Sequence, residues 1–294
     1  MRLVTPEGCA PRPPSRRAVA ASVFTAGYAI AAAAATAEPI VTPTDGLITQ
    51  DVTLQGAGGY ALPAYVARPS ASGRKPAIVV VNEIFGIHAY IKDVCHRLAR
   101  EGYVAIAPDY FDRAGDPSTL ADFSAIIALV QTAGYEQVMG DTAGALSWLT
   151  AQRFVRDRAI GVTGFCWGGA VTWMAAARFP QIKAGVAWYG RLVPPPENSP
   201  WNEAGRPWPV AIAGALRTPV LGLYAENDQG IPLPTVTAMR EALAAAGNPS
   251  RSEIVVYPGV QHGFHADYRE SYNADAARDG WSRMLAWFRA AGVE

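Results

Sequence analysis

The alternation of short apolar runs with helical segments constrains this chain more than any other feature. "KPAIVVV" holds five consecutive residues, Ala77 to Val81, suited to a strand buried on both faces. "GYVAIAP", "DRAIGVTGF", "IKAGVAW", "TPVLGLYA" and "RSEIVVY" repeat the type. Between and after them, residues 87–100, 122–130, 136–152, 168–179, 234–246 and 272–290 carry helical signals. Upstream, "ITQDVTLQ" and "ALPAYVARP" read as two strands around the turn "GAGG". Strands alternating with helices predict an α/β fold, with a mostly parallel central sheet covered on both faces, in one domain over residues 38–294. The Pro-rich stretch 193–209 lies between two strands of this pattern and reads as an excursion that could line a pocket.

Composition removes several function classes. The chain is 50% hydrophobic and 17% charged, with 28 Gly and 23 Pro, which is a globular balance with many punctuated loops. Formal net charge is zero, with no basic stripe, so nucleic acid is not an expected partner. No 20–50-residue period repeats, which argues against a solenoid.

The N-terminus has its own logic. Ser15-Arg16-Arg17 precedes an uncharged, alanine-rich run from Ala18 to Ala37 that ends in Ala35-Thr36-Ala37, a cleavage-site pattern. The arginine pair resembles a twin-arginine export signal, although only Ala18 and Val19 follow it where a strongly apolar residue is usual. The expectation is a signal over residues 1–37, the twin-arginine export machinery as a partner, and a periplasmic or secreted protein. The alternative is an uncleaved membrane anchor. Cleavage would remove Arg2, Glu7, Cys9, Arg12, Arg16 and Arg17, taking the net charge from 0 to −3 and leaving Cys95 and Cys166.

An open parallel sheet gathers ligands beyond the carboxyl ends of its strands. The polar residues expected there are Glu83, Asp109, Arg113, Cys166, Glu226, Asp228 and His262. Cys166 sits in "GFCWGG", with Gly164 and Gly168 two residues to either side, a strand before it and a helix after it. That is the layout of a nucleophile elbow with cysteine in place of serine. Cys166, Asp228 and His262 follow in the order nucleophile, acid, base. An imidazole can take the thiol proton, and a carboxylate can fix the imidazole's tautomer. Backbone N–H groups after the elbow would meet a developing oxyanion, and the helix start favours thiolate. Blander readings stand beside these. Cys166 could be core filler or pair with Cys95. His262 and His265 could belong to a polar loop or hold a metal, Asp228 could be a turn residue, Glu83 a helix cap and Arg113 a surface charge.

The pieces "NEIFGIH", "APDYF", "GFCWGG", "PVLGLYAENDQGIP" and "QHGFHADYRESY" resemble, in order and spacing, the dienelactone hydrolase (carboxymethylenebutenolidase) family over roughly residues 50 to 290. The resemblance implies a single-domain α/β-hydrolase that needs no cofactor and opens lactones with a Cys-His-Asp triad. It implies Cys166 as nucleophile, His262 as base, Asp228 as its orienting acid, and Glu83 as the glutamate that interacts with the resting cysteine. Backbone N–H groups of Ile84 and Trp167 match the oxyanion hole, and Arg113 matches one of two arginines that bind a substrate carboxylate. The second arginine's place, four residues after the histidine, holds Ala266, and Arg269 is not the matched position. That departure, with Trp167 and the aromatic residues between Tyr189 and Trp208, leads to the expectation of a more apolar pocket for small lactones or activated esters. The alternatives are a general esterase, a thioesterase, an enzyme acting on haloacids, or a non-catalytic binding protein on the same fold.

Overall fold

The computed structural model describes residues 39–199, 201–203 and 205–294; the signal expected over 1–37 lies outside them. Eight strands form one sheet: β1 Leu47–Gln55, β2 Ala61–Pro69, β3 Lys75–Val81, β4 Val104–Pro108, β5 Val155–Phe165, β6 Ile182–Trp188, β7 Val220–Ala225 and β8 Glu253–Tyr257. Their order is β1-β2-β4-β3-β5-β6-β7-β8. The first two strands join antiparallel to each other and to β4, and every pair from β4 to β8 is parallel.

The central strands alternate their side chains between two cores. Val79 and Val81 pack on the side covered by helices 135–151 and 167–178, with Ile106, Val162, Met139, Leu149 and Val171. Ile78 and Val80 face helices 89–100 and 274–290, with Val94, Leu98, Met284 and Phe288. Both faces of β3 are therefore dry, which is why its sequence is continuously apolar rather than alternating. Glycine permits close packing at Gly161, where an added Cβ would stand 2.7 Å from the Phe288 ring.

Helix boundaries follow capping chemistry. Asp122 caps helix 123–130 by accepting from the N–H groups of Ser124 and Ala125, and Asn273 caps 274–290 by accepting from Ala276. The predicted helices at 87–100 and 272–290 start two residues late, because their first residues form the entry turns. No helix among the described residues is long and apolar enough to cross a membrane.

Candidate active site

Sheet register builds the site. Val81 of β3 pairs with Gly164 of β5, so Glu83 and Cys166, each two residues further on, leave the sheet side by side. Phe165 pairs with Trp188, which sets Tyr189 beside Cys166. Strands β7 and β8 lie next in line and end before Asp228 and His262. Chemistry from four separated stretches of sequence thus meets at one sheet end.

Cys166 stands at a strained turn, with φ 55° and ψ −112°. This is a costly conformation for a residue with a Cβ. Its N–H donates to the Trp188 carbonyl (3.0 Å), and its carbonyl accepts from Gly169 (3.0 Å). The flanking glycines are needed because an added Cβ on Gly164 would come within 2.2 Å of the Gly168 carbonyl oxygen. On Gly168 it would come within 2.5 Å of the Val81 oxygen. Helix 167–178 starts immediately after the sulfur-bearing residue and directs its positive end there. Cys166 and Cys95 are both free thiols, so the considered bridge between them is absent. Cys95 is core filler, with burial and then Asp93 raising its pKa.

His262 Nδ1 lies 2.6 Å from Asp228 Oδ2. The other Asp228 oxygen accepts from the N–H groups of Gly230 and Ile231, both at 2.8 Å, which fixes the carboxylate's orientation. Burial alone would lower the His262 pKa. The Asp228 carboxylate and the Cys166 sulfur outweigh it and raise the value to about 10. The neighbouring His265 has a different role. It is buried, bonded through Nδ1 to the Tyr90 hydroxyl (2.6 Å) and stacked on Trp281. Burial, and then Arg97, lower its pKa to about 3, making it a neutral core histidine.

Glu83 is fully buried. Tyr268 donates its hydroxyl to one carboxylate oxygen (2.6 Å), and Arg269 Nη2 lies 3.1 Å from the other. Desolvation opposes ionisation, but Arg269, His88 and Tyr268 prevail and hold the pKa at about 2. The hydrogen-bond and ion-pair partners of Glu83 are thus Tyr268, Arg269 and, at 3.9 Å, His88. Sequence reasoning did not assign Tyr268 and Arg269 to this role. Two consecutive turns, Gly263 to Ala266 and Ala266 to Arg269, bring the guanidinium back over the site from a position that linear matching passed over. Ala266 itself is core.

Arg113 is placed differently from the expectation. Both of its terminal nitrogens bind the buried Asp141 (2.7 and 2.8 Å), and it packs over the Tyr60 ring. Asp141 also accepts from the N–H of Ala57. Arg113 therefore ties the 56–60 turn to helix 135–151 and is not among the residues lining the cavity at Cys166. Of the other strand-end carboxylates, Glu226 accepts from Gly259 N–H, and burial chiefly raises Asp109 to about 6.

The cavity beside the sulfur is lined by Ile84, Cys166, Trp167, Ala170, Tyr189 and Ile231 from the sheet end and its first loops. Arg191, Trp201, Arg206 and Trp208 complete it, the last three from within the excursion 193–209. The aromatic wall agrees with the expected apolar character; the two arginines were not anticipated. Ile84 N–H donates no hydrogen bond among the described residues, and Trp167 N–H is the first amide of its helix, without an intrahelical acceptor.

The dienelactone hydrolase family model matches residues 62–292. A Methylorubrum extorquens protein named "Putative carboxymethylenebutenolidase" is 46% identical over 282 residues, covering 95% of this chain and 94% of the relative. A Salmonella typhimurium protein of the same name is 46% identical over 269 residues, covering 90% and 96%. The crystal structure of a "Putative Dienelactone Hydrolase" from Klebsiella pneumoniae superposes with a TM-score of 0.76 at 46% identity, covering 83% of this chain and 98% of that one. The eight-stranded α/β sheet, the elbow at Cys166 and these likenesses agree, and the chain belongs to the dienelactone hydrolase family of hydrolases.

Proposed function

We propose that the protein hydrolyses a lactone or small activated carboxylic ester through a Cys166 acyl-enzyme. The observation that carries this reading is the linked set Cys166, His262 and Asp228, with the carboxylate 2.6 Å from the imidazole and the sulfur among the groups that hold the imidazole's proton. A proton on His262 beside the sulfur favours the nucleophilic thiolate form. The thiolate adds to the carbonyl carbon, and the oxyanion meets the N–H groups of Ile84 and Trp167. Collapse forms a thioester and breaks the acyl C–O bond; the leaving oxygen takes the His262 proton, either as the bond breaks or after departing as a resonance-stabilised enolate, which leaves His262 neutral. Water then gives a proton to His262 and attacks the thioester, releasing the acid and restoring the thiol. A thiolate is itself a good leaving group, which limits the substrates to reactive lactones and activated esters.

The test is stopped-flow hydrolysis of a chromogenic activated ester by the wild type and Cys166→Ala. A product burst of about one equivalent per subunit, absent from the variant, supports the acyl-enzyme. Undiminished steady-state turnover in the variant would remove the cysteine mechanism. We further propose export guided by residues 1–37 to the periplasm or beyond. N-terminal sequencing of protein recovered from the producing cell checks this, with a start at Glu38 expected.

A further inference from the structure

We propose that Tyr189 is a further catalytic residue, whose hydroxyl donates a hydrogen bond to the oxygen that leaves when Cys166 is acylated. This inference rests on the hydrolase reading above and deepens it.

Three observations carry it. First, the Tyr189 hydroxyl is buried and makes no hydrogen bond among the described residues. Tyr90, Tyr103, Tyr110, Tyr224 and Tyr257 are also buried, and each engages its hydroxyl in a hydrogen bond. A buried donor left unpaired destabilises the folded protein, and phenylalanine would fill the same space without that penalty. Second, this hydroxyl belongs to a residue with a strained backbone. Tyr189 has φ 38°, in the left-handed region disfavoured by residues with a Cβ, and Cys166 beside it has φ 55°. The backbone is held there. The Tyr189 N–H donates to the Leu223 carbonyl (2.8 Å), and the next residue, Gly190, lies so close to helix 167–178 that an added Cβ would come within 2.3 Å of the Ala170 nitrogen. Third, the placement fits a leaving oxygen. Tyr189 lines the cavity at Cys166 and meets the His262 ring in a T-shaped contact, with centroids 5.0 Å apart. Strand β5 lies between β3 and β6, so Ile84, after β3, and Tyr189, after β6, flank Cys166 from opposite sides. A tetrahedral carbon on the sulfur that turns its oxyanion toward the Ile84 and Trp167 N–H groups presents its other oxygen on the side of Tyr189 and His262.

As the acyl C–O bond breaks, its electron pair stays on the leaving oxygen. His262 supplies the proton, and Tyr189 adds a hydrogen bond to the growing charge while keeping its own proton. Burial, and then Tyr90 and Glu83, push the Tyr189 pKa well above the ordinary phenol range, so the hydroxyl remains a donor.

Tyr189→Phe tests the assignment with aryl esters of one acyl group whose leaving phenols rise in basicity from dinitrophenol to phenol. The loss in kcat/KM is expected to be about tenfold or more for the phenyl ester and less than about twofold for the dinitrophenyl ester, because a basic oxygen gains most from a hydrogen bond as it leaves. In urea the variant is expected to unfold at the wild-type midpoint or above it. An equal loss along the whole series would mean a structural role only and overturn the proposal, and so would a lowered unfolding midpoint. A readout without turnover separates the inference from the mechanism beneath it. Cys166→Ala, titrated with para-nitrophenolate and followed by the ligand's absorbance, is expected to bind it about fivefold or more tightly than the Cys166→Ala, Tyr189→Phe double variant; no difference between the two would overturn the proposal. If that difference holds while the wild type hydrolyses no ester of the series, the Tyr189 contact stands and the acyl-enzyme reading falls.

Discussion

Glu83→Gln tests how the site holds its charges. The substitution preserves shape and keeps an acceptor for the Tyr268 hydroxyl, but leaves the Arg269 guanidinium, 1% exposed, without its counter-charge. Breaking a buried ion pair by removing one partner costs about 3–5 kcal/mol. The titration of Glu83 gives an independent figure. Holding its carboxyl at about 2 instead of 4.5 corresponds to about 3 kcal/mol at neutral pH. Because the folded-state value is depressed, this contribution is complete above pH 4.5 and fades as pH falls toward 2, with roughly half of it left at pH 3. Urea unfolding of wild type and variant at pH 7 and pH 3 measures it. The expected gap is about 3 kcal/mol at pH 7, a melting-temperature loss of roughly 6–12 °C, narrowing by about half at pH 3. A variant as stable as wild type at pH 7, or a gap equally wide at both pH values, would refute the account of a carboxylate held ionised by Arg269 and Tyr268.

Three further expectations follow from the same geometry. The positive φ at Cys166 makes Cys166→Gly more stable than Cys166→Ala by about 1 kcal/mol, since glycine relieves strain of about 1–3 kcal/mol that exceeds its entropic cost; equal unfolding midpoints for these two variants would remove the strain argument. Arg113→Gln leaves Asp141 buried without its cation and is expected to cost about 3–5 kcal/mol, readable by thermal unfolding. Asp228→Asn removes the charge that most strongly raises the His262 pKa. Ester turnover should fall steeply, toward the loss of about 10⁴ known for an orienting aspartate in a serine triad, while iodoacetamide labelling of Cys166 at neutral pH slows.

The fold and the grouping of Cys166, Asp228 and His262 at one sheet end were legible because each leaves a local mark. A strand buried on both faces must be continuously apolar, as Ala77 to Val81 is, and an elbow needs small residues on both sides of the nucleophile, as Gly164 and Gly168 supply. His262 could be told from His265 only through chain order and resemblance. Their different environments, a carboxylate partner in one case and stacked rings in the other, belong to packing. The placement of Arg113 was not legible, because a charge just beyond a strand end can turn either way, and Asp141, 28 residues further along, decides which.

By itself the sequence determined the sheet-and-helix alternation, the elbow and the chain order Cys166, Asp228, His262, because each rests on residue type at short range. Only the tertiary structure decided which charges face one another. Arg269 reaches Glu83 through two successive turns, Arg113 is taken by Asp141, and Arg206 comes to line the same cavity as Cys166. The reason is physical: hydrophobic periodicity records burial, whereas ion pairing depends on distances of a few ångströms between residues far apart in the chain.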